Sequence, residues 1–157
     1  EYSAHLIPEA GLGMLPKLYG NGLLVAGDAA GLVCAIGLTL EGANFAIASG
    51  IAAAETVKLA KEKGDFSSAT LSHYQKLLED SFVLQDLKTY QKAPHFLENP
   101  RMYSTYPELI CHLASKVFTV DGQPKKKISK LVRGELKEKK VSLWRLVRDM
   151  IEGGRAI

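Results

Sequence analysis

Short apolar runs occupy the front of the chain, and helical periodicity takes over behind them. Residues 2–7 read as a strand, broken by Pro8 and by a loop holding Gly11 and Gly13. Residues 23–26 read as a second strand that stops abruptly at Gly27-Asp28. Residues 44–63 read as a long helix ended by Gly64, a common C-terminal stop. The first half of that helix is unusually small: Ala46, Ala48, Ser49, Gly50, Ala52, Ala53 and Ala54. Small side chains let a helix lie close to a sheet or a cofactor, and they equally suit a plain buried helix. The next helix carries Leu71, Tyr74, Leu78 and Phe82 at helical spacing, with Ser67 or Ser68 as its cap. Pro94 and Pro100 bound an irregular stretch, residues 106–118 read as another helix, and Asp121-Gly122-Gln123-Pro124 reads as a turn. Two basic amphipathic helices, 128–139 and 142–151, close the chain. In the second, Leu143, Trp144, Val147, Met150 and Ile151 share one face. Such a stripe docks onto the body of a protein or, as the alternative, lies at a membrane surface.

This pattern predicts a mostly helical α+β chain in three parts: 1–64 with the strands and the long helix, 65–124 helical, and 125–157 a basic helical tail. Charge sharpens the division. From Lys125 onward there are eleven Lys/Arg against four Asp/Glu, while the formal net charge of the whole is only +3. A basic tail meets a solvated surface, an acidic partner or an anionic membrane. Trp144 is its only aromatic residue, which argues against nucleic acid.

Cys34 and Cys111 are the only cysteines, with no C-x-x-C pair and no signal-like start, which points to a reducing, cytoplasmic setting. No apolar run approaches the roughly 20 residues that span a bilayer. His5, His73, His95 and His112 lack metal-ligand spacing, and no metal site is expected. No G-x-S-x-G elbow is present, and two cysteines are too few for an iron–sulfur cluster.

The candidate site is Gly27-Asp28-Ala29-Ala30-Gly31. A buried strand delivers one carboxylate to its C-terminal end, where nucleotide-like ligands bind in open α/β sheets. Asp28 can accept hydrogen bonds from sugar or ribityl hydroxyls, and the amides that follow, if they open a helix, offer donors to a phosphate or an electron-rich ring edge. Small residues also occur at such turns for packing alone.

With its apolar lead-in, Gly27–Gly31 resembles the C-terminal flavin fingerprint of FAD-dependent oxidoreductases with a two-dinucleotide-type fold. The wider order, Tyr2-Ser-Ala-His-Leu-Ile-Pro-Glu9, Leu15-Pro-Lys-Leu-Tyr19, Ala46-Ile-Ala-Ser-Gly50, Ser81-Phe-Val-Leu-Gln-Asp86 and Phe96-Leu-Glu-Asn-Pro-Arg101, resembles FixC-type flavoproteins. These are relatives of electron-transfer-flavoprotein:quinone oxidoreductase, and the likeness covers most of residues 2–122. It implies the C-terminal part of an FAD/NAD(P)-binding fold followed by a helical extension. Gly11-Leu-Gly13 has Pro16 where a pyrophosphate loop needs its third glycine, so the chain is expected to be a piece of a longer protein and inactive alone.

The resemblance further implies FAD as cofactor, with Asp28 on the ribityl chain and Gly27, Ala29, Ala30 and Gly31 around it. Gly37 and Gly42 would let the backbone approach the ring, and Thr39 would donate to it. Here Glu41-Gly42 matches the end of the family's loop, while its proline is absent. No side chain is expected to be a catalytic acid or base, since the flavin carries the redox chemistry. The implied partners are an electron-transfer flavoprotein, a quinone and a ferredoxin-like iron–sulfur protein, at the inner face of the membrane if the protein is peripheral. Two alternatives stand beside this reading: a geranylgeranyl reductase-like enzyme acting on isoprenoid double bonds, and a non-catalytic helical interaction domain.

Overall fold

A computed structural model describes residues 11–37 and 39–157. The strand expected over 2–7 lies outside them. The chain forms two compact units, the described part of the first spanning 11–94 and the second His95–Ala156. Helices dominate, accompanied by two small antiparallel hairpins.

In the first unit β1 (Tyr19–Gly20) pairs with β2 (Leu23–Leu24) around Asn21-Gly22. The expected strand over 23–26 is therefore shorter, although the Val25 N–H still donates to Leu18 O at 2.9 Å. Gly27–Ala30 then winds into a single 3-10 turn. Gly31 ends it in the left-handed region (φ 66°), with its N–H on Asp28 O at 2.9 Å. The amides after Asp28 thus open one turn and no longer helix. A left-handed residue cannot propagate a right-handed helix. The chain runs on into a second hairpin, β3 (Cys34–Ala35) against β4 (Leu40–Glu41).

The long helix forms as expected, as α1 (Ala43–Lys63). Gly64 caps it at φ 63°, and Lys61 and Lys63 sit favourably in its last turn. Its buried stripe is Phe45, Ser49, Ala52, Thr56 and Ala60. Thr56 keeps its hydroxyl satisfied by donating to Ala52 O at 2.8 Å.

The run expected as one helix through Leu71, Tyr74, Leu78 and Phe82 is divided. It becomes α2 (Ser68–Leu71), α3 (His73–Asp80) and α4 (Phe82–Thr89). Ser81 is extended at the break, where its hydroxyl donates to Leu78 O and accepts from the Val83 N–H. Neither Ser67 nor Ser68 caps α2 with its side chain. Asn21 Oδ1 instead accepts from the Ser68 N–H at 2.7 Å, and the Asp65 carboxylate braces the turn before the helix, accepting from the Ser67 N–H and from the Ser67 and Thr70 hydroxyls. The break at Ser81 lets the Phe82 ring meet Phe45 edge-on, with centroids 5.3 Å apart. Phe45, Tyr74, Leu78, Val83 and Leu32 are fully buried and form the core. Each contributes about 1.5–3 kcal/mol of hydrophobic burial.

The stretch between Pro94 and Pro100 is more regular than expected. It holds α5 (Ala93–Leu97) and leads into a 3-10 turn, Pro100–Met102, capped by the Asn99 side chain on the Arg101 N–H. In the second unit α6 (Thr105–Phe118) packs on α7 (Ile128–Glu138), and α8 (Leu143–Ala156) runs five residues beyond the predicted end of its helix.

Asp149 on α8 is buried and gathers Arg101 (Nε to Oδ2 2.7 Å, Nη2 to Oδ1 3.0 Å), Asn99 Nδ2 at 3.2 Å and the Tyr106 hydroxyl. Gly153 faces inward beside it, where a Cβ would come within 2.8 Å of the Phe96 ring. α8 therefore docks through Asp149, Gly153 and the buried Ala156. The stripe from Leu143 to Ile151, expected to pack inward, faces solvent.

Candidate functional site

The approach to the site is built by the exit from β2. Val25 O accepts a hydrogen bond from the Tyr74 hydroxyl at 2.9 Å, which ties the strand to α3. Burial raises the Tyr74 phenol above its ordinary pKa, so it stays a neutral donor. Two residues on, Gly27 is buried at φ 59°, and a Cβ there would lie 3.2 Å from the Ala46 Cβ on α1. Its N–H donates to Ser49 Oγ at 3.0 Å, and the Ser49 hydroxyl donates to Ala46 O.

These contacts set the 3-10 turn directly on the first turns of α1. Ala30 and Gly31 are buried beneath it, while Asp28 and Ala29 face outward. Gly42 is the residue before α1, and no side chain caps the helix there. A Cβ at Gly42 would lie 3.8 Å from Asp28 Oδ1, so the carboxylate stands beside the uncapped start of a 21-residue helix. No described residue donates a hydrogen bond to the Asp28 carboxylate.

The helix N-terminus that meets Asp28 thus comes from fourteen residues downstream. The arrangement offers an acceptor for hydroxyls, free backbone amides at α1 and a positive end of the helix dipole. This donor set fits the polyol and the electron-rich portions of a flavin dinucleotide, and the lack of a Cβ at Gly42 leaves room beside the carboxylate.

The expected residues do not all gather. Gly27, Asp28, Ala29, Ala30, Gly31 and Gly42 come together around the α1 start. Gly37 (φ 84°) and Thr39 lie at the turn of the β3–β4 hairpin, both exposed, with Thr39 O accepting from the Ile36 N–H at 3.2 Å. Ser49 and Tyr74 support the turn and carry no motif of their own. The one signal for Ser49 is its place four residues after Phe45, on the stripe that continues through Ala52, Thr56 and Ala60.

Cys34 is buried on β3. Burial pushes its thiol above the ordinary value, and the Asp86 and Glu41 carboxylates push the same way. Such a thiol holds little thiolate and is unreactive. Among the described residues no cluster of three or more His, Cys, Asp or Glu could hold a metal ion, and no helix is long and apolar enough to cross a membrane.

Residues 93–157 match the family model described as the ETF-QO/FixC family C-terminal domain. The match begins within two residues of the second compact unit. The chain belongs to the ETF-QO/FixC family. It is 43% identical over its whole length to the probable electron transfer flavoprotein-quinone oxidoreductase YdiS of Escherichia coli strain K12, covering 36% of that protein. Over 98% of the chain it is 48% identical to protein FixC of the same strain, covering 35% of it. Protein FixC of Azotobacter vinelandii is 40% identical, with 36% of its length covered. The chain thus spans about a third of the length of the curated relatives it matches, in their C-terminal portion.

Proposed function

We propose that the chain is part of an FAD-dependent oxidoreductase that passes electrons from an electron-transfer flavoprotein to a quinone or to a ferredoxin-like iron–sulfur partner. One observation carries the cofactor assignment: the Asp28 carboxylate, free of any described donor, stands beside the uncapped start of α1. The likeness to a probable electron transfer flavoprotein-quinone oxidoreductase and to FixC supports the electron-transfer role.

In this reading Asp28 accepts hydrogen bonds from ribityl hydroxyls, and Gly42 admits the ligand beside it. The first amides of α1 donate toward the electron-rich side of the ligand, and the helix dipole favours negative charge there. Gly27 and Ser49 hold the turn against α1, which fixes the carboxylate in direction. Gly37 and Thr39 supply the hairpin edge next to the same ligand. When bound, FAD supplies the redox chemistry, so no side chain of this chain acts as an acid or base.

The experiment is an absorbance spectrum of the full-length protein beside its Asp28→Asn variant. Flavin bands in the wild type that weaken in the variant are the expected result. Absence of flavin in both, after incubation with FAD, leaves a helical interaction domain. Electron transfer is then assayed with reduced electron-transfer flavoprotein and a soluble quinone. Turnover that requires a polyprenyl lipid substrate would reassign the protein to isoprenoid reduction.

A further inference from the structure

Glu41 stands next to the candidate site, and no part of the binding arrangement uses it. It is the last residue of β4 and directly precedes Gly42, whose missing side chain leaves room beside Asp28. Asn44, the second residue of α1, donates from Nδ2 to Glu41 Oε2 at 2.6 Å. This bond holds the carboxylate at the first turn of the helix. No lysine, arginine or histidine among the described residues pairs with Glu41. Its charge is therefore pinned and uncompensated at the start of a 21-residue helix.

The N–H groups of Ala43, Asn44 and Phe45 have no intrahelical acceptor and carry the positive end of the helix dipole. That end favours negative charge, including the charge a flavin ring gains when it takes up two electrons and one proton. A fixed carboxylate at the same end works the opposite way, because it repels a second anion. In the proposed arrangement the Asp28 carboxylate is matched by ribityl hydroxyls. Glu41, already held by an amide, acts only through its field. That field reaches across the hairpin. Glu41 faces Cys34 in the β3–β4 register, and after burial and Asp86 it helps push the Cys34 thiol upward.

Resting on the flavin assignment of this site, we propose that the Glu41–Asn44 pair sets the reduction potential of the cofactor. Asn44 positions the Glu41 carboxylate at the start of α1, and the carboxylate opposes the build-up of negative charge on the ring. The pair lowers the potential that α1 alone would give. The reduced cofactor is thereby a stronger electron donor toward a quinone or an iron–sulfur acceptor. Glu41 tunes and Asn44 positions; neither one moves a proton.

The test is a dye-equilibration titration of the full-length, FAD-loaded protein, which reads the midpoint potential. Glu41→Gln removes the charge and should favour reduction on the order of tenfold, ~30 mV for a two-electron couple. The shift should shrink with added salt, because Glu41 is exposed. Asn44→Ala should raise the potential by less, since it releases the carboxylate toward solvent without removing it. Glu62→Gln deletes the same charge from the exposed far end of α1, about 27 Å away, and should leave the potential unchanged. FAD content should match wild type throughout. A loaded flavin whose potential ignores Glu41→Gln, or moves equally in Glu62→Gln, overturns the inference and leaves the cofactor assignment standing. Loss of FAD in Glu41→Gln would make Glu41 a binding residue and overturn it too. Wild-type protein that takes up no FAD removes the cofactor assignment itself, and the inference falls with it.

Discussion

The Gly27 N–H donates to Ser49 Oγ across 3.0 Å in a buried setting, linking two residues 22 positions apart. The strand exit and the long helix meet through this bond. A buried N–H without its acceptor costs about 1–3 kcal/mol. Ser49→Ala should lower the urea unfolding free energy by that amount while leaving helix content unchanged. Equal midpoints for variant and wild type would show that the bond carries no weight.

Gly27→Ala strains the same joint from the other side. The new methyl would sit at φ 59° and 3.2 Å from the Ala46 Cβ. A left-handed non-glycine residue costs about 1–2 kcal/mol, and the crowding adds to it. The variant should be at least as destabilised as Ser49→Ala, and flavin content should fall with it. Thermal unfolding and the absorbance of the purified protein check both.

Gly42→Ala separates binding from folding. Its backbone angle is ordinary (φ −133°), and the added methyl meets Val33 Cγ2 and Asp28 Oδ1 only at van der Waals distance. Stability should stay within about 0.5 kcal/mol of wild type. Flavin occupancy should drop, because the methyl fills the space beside the carboxylate. A variant that loads flavin normally would place the ligand elsewhere.

Asp149 makes the second unit acid-sensitive. Arg101, with help from Tyr106 and Asn99, holds its carboxyl at about 2, against 3.8 ordinarily. Between these values the unfolded chain binds a proton that the folded one refuses. The stabilisation is therefore complete above the unfolded value and is lost as pH falls through 3.8 toward 2, amounting to roughly 2 kcal/mol. Asp149→Asn should be less stable at neutral pH and should show a flatter stability profile between pH 5 and 2. Parallel profiles for the two proteins would remove Asp149 as the source.

Some of this architecture is legible in the residues and some is not. α1 announces itself through its small-residue face and Gly64, because a helix pattern and its stop are both local. The division at Ser81 is hidden, since Leu78 and Phe82 keep helical spacing straight through it. The α8 stripe reads as a docking face because apolar faces usually turn inward. Here a buried ion pair from Asp149 claims that side, and its partners Asn99, Arg101 and Tyr106 lie more than forty residues away in sequence. At the candidate site, Asp28 and Gly42 are each conspicuous, yet only the hairpin between them brings them side by side. Two-residue strands leave almost no periodicity from which to foresee that fold-back.

The stripe of α1 from Phe45 to Ala60 also governs how this segment can vary in length. Each residue added to or removed from a helix turns everything beyond it by about 100°. One insertion between Ser49 and Thr56 would leave the Gly27 joint in place and swing Thr56 and Ala60 out of their buried positions. Substitutions along the outward side of α1, at Ile47, Gly50 or Ala54, do not disturb that phase. Homologous chains should therefore differ freely in composition on this helix and agree in its residue count from Phe45 to Ala60.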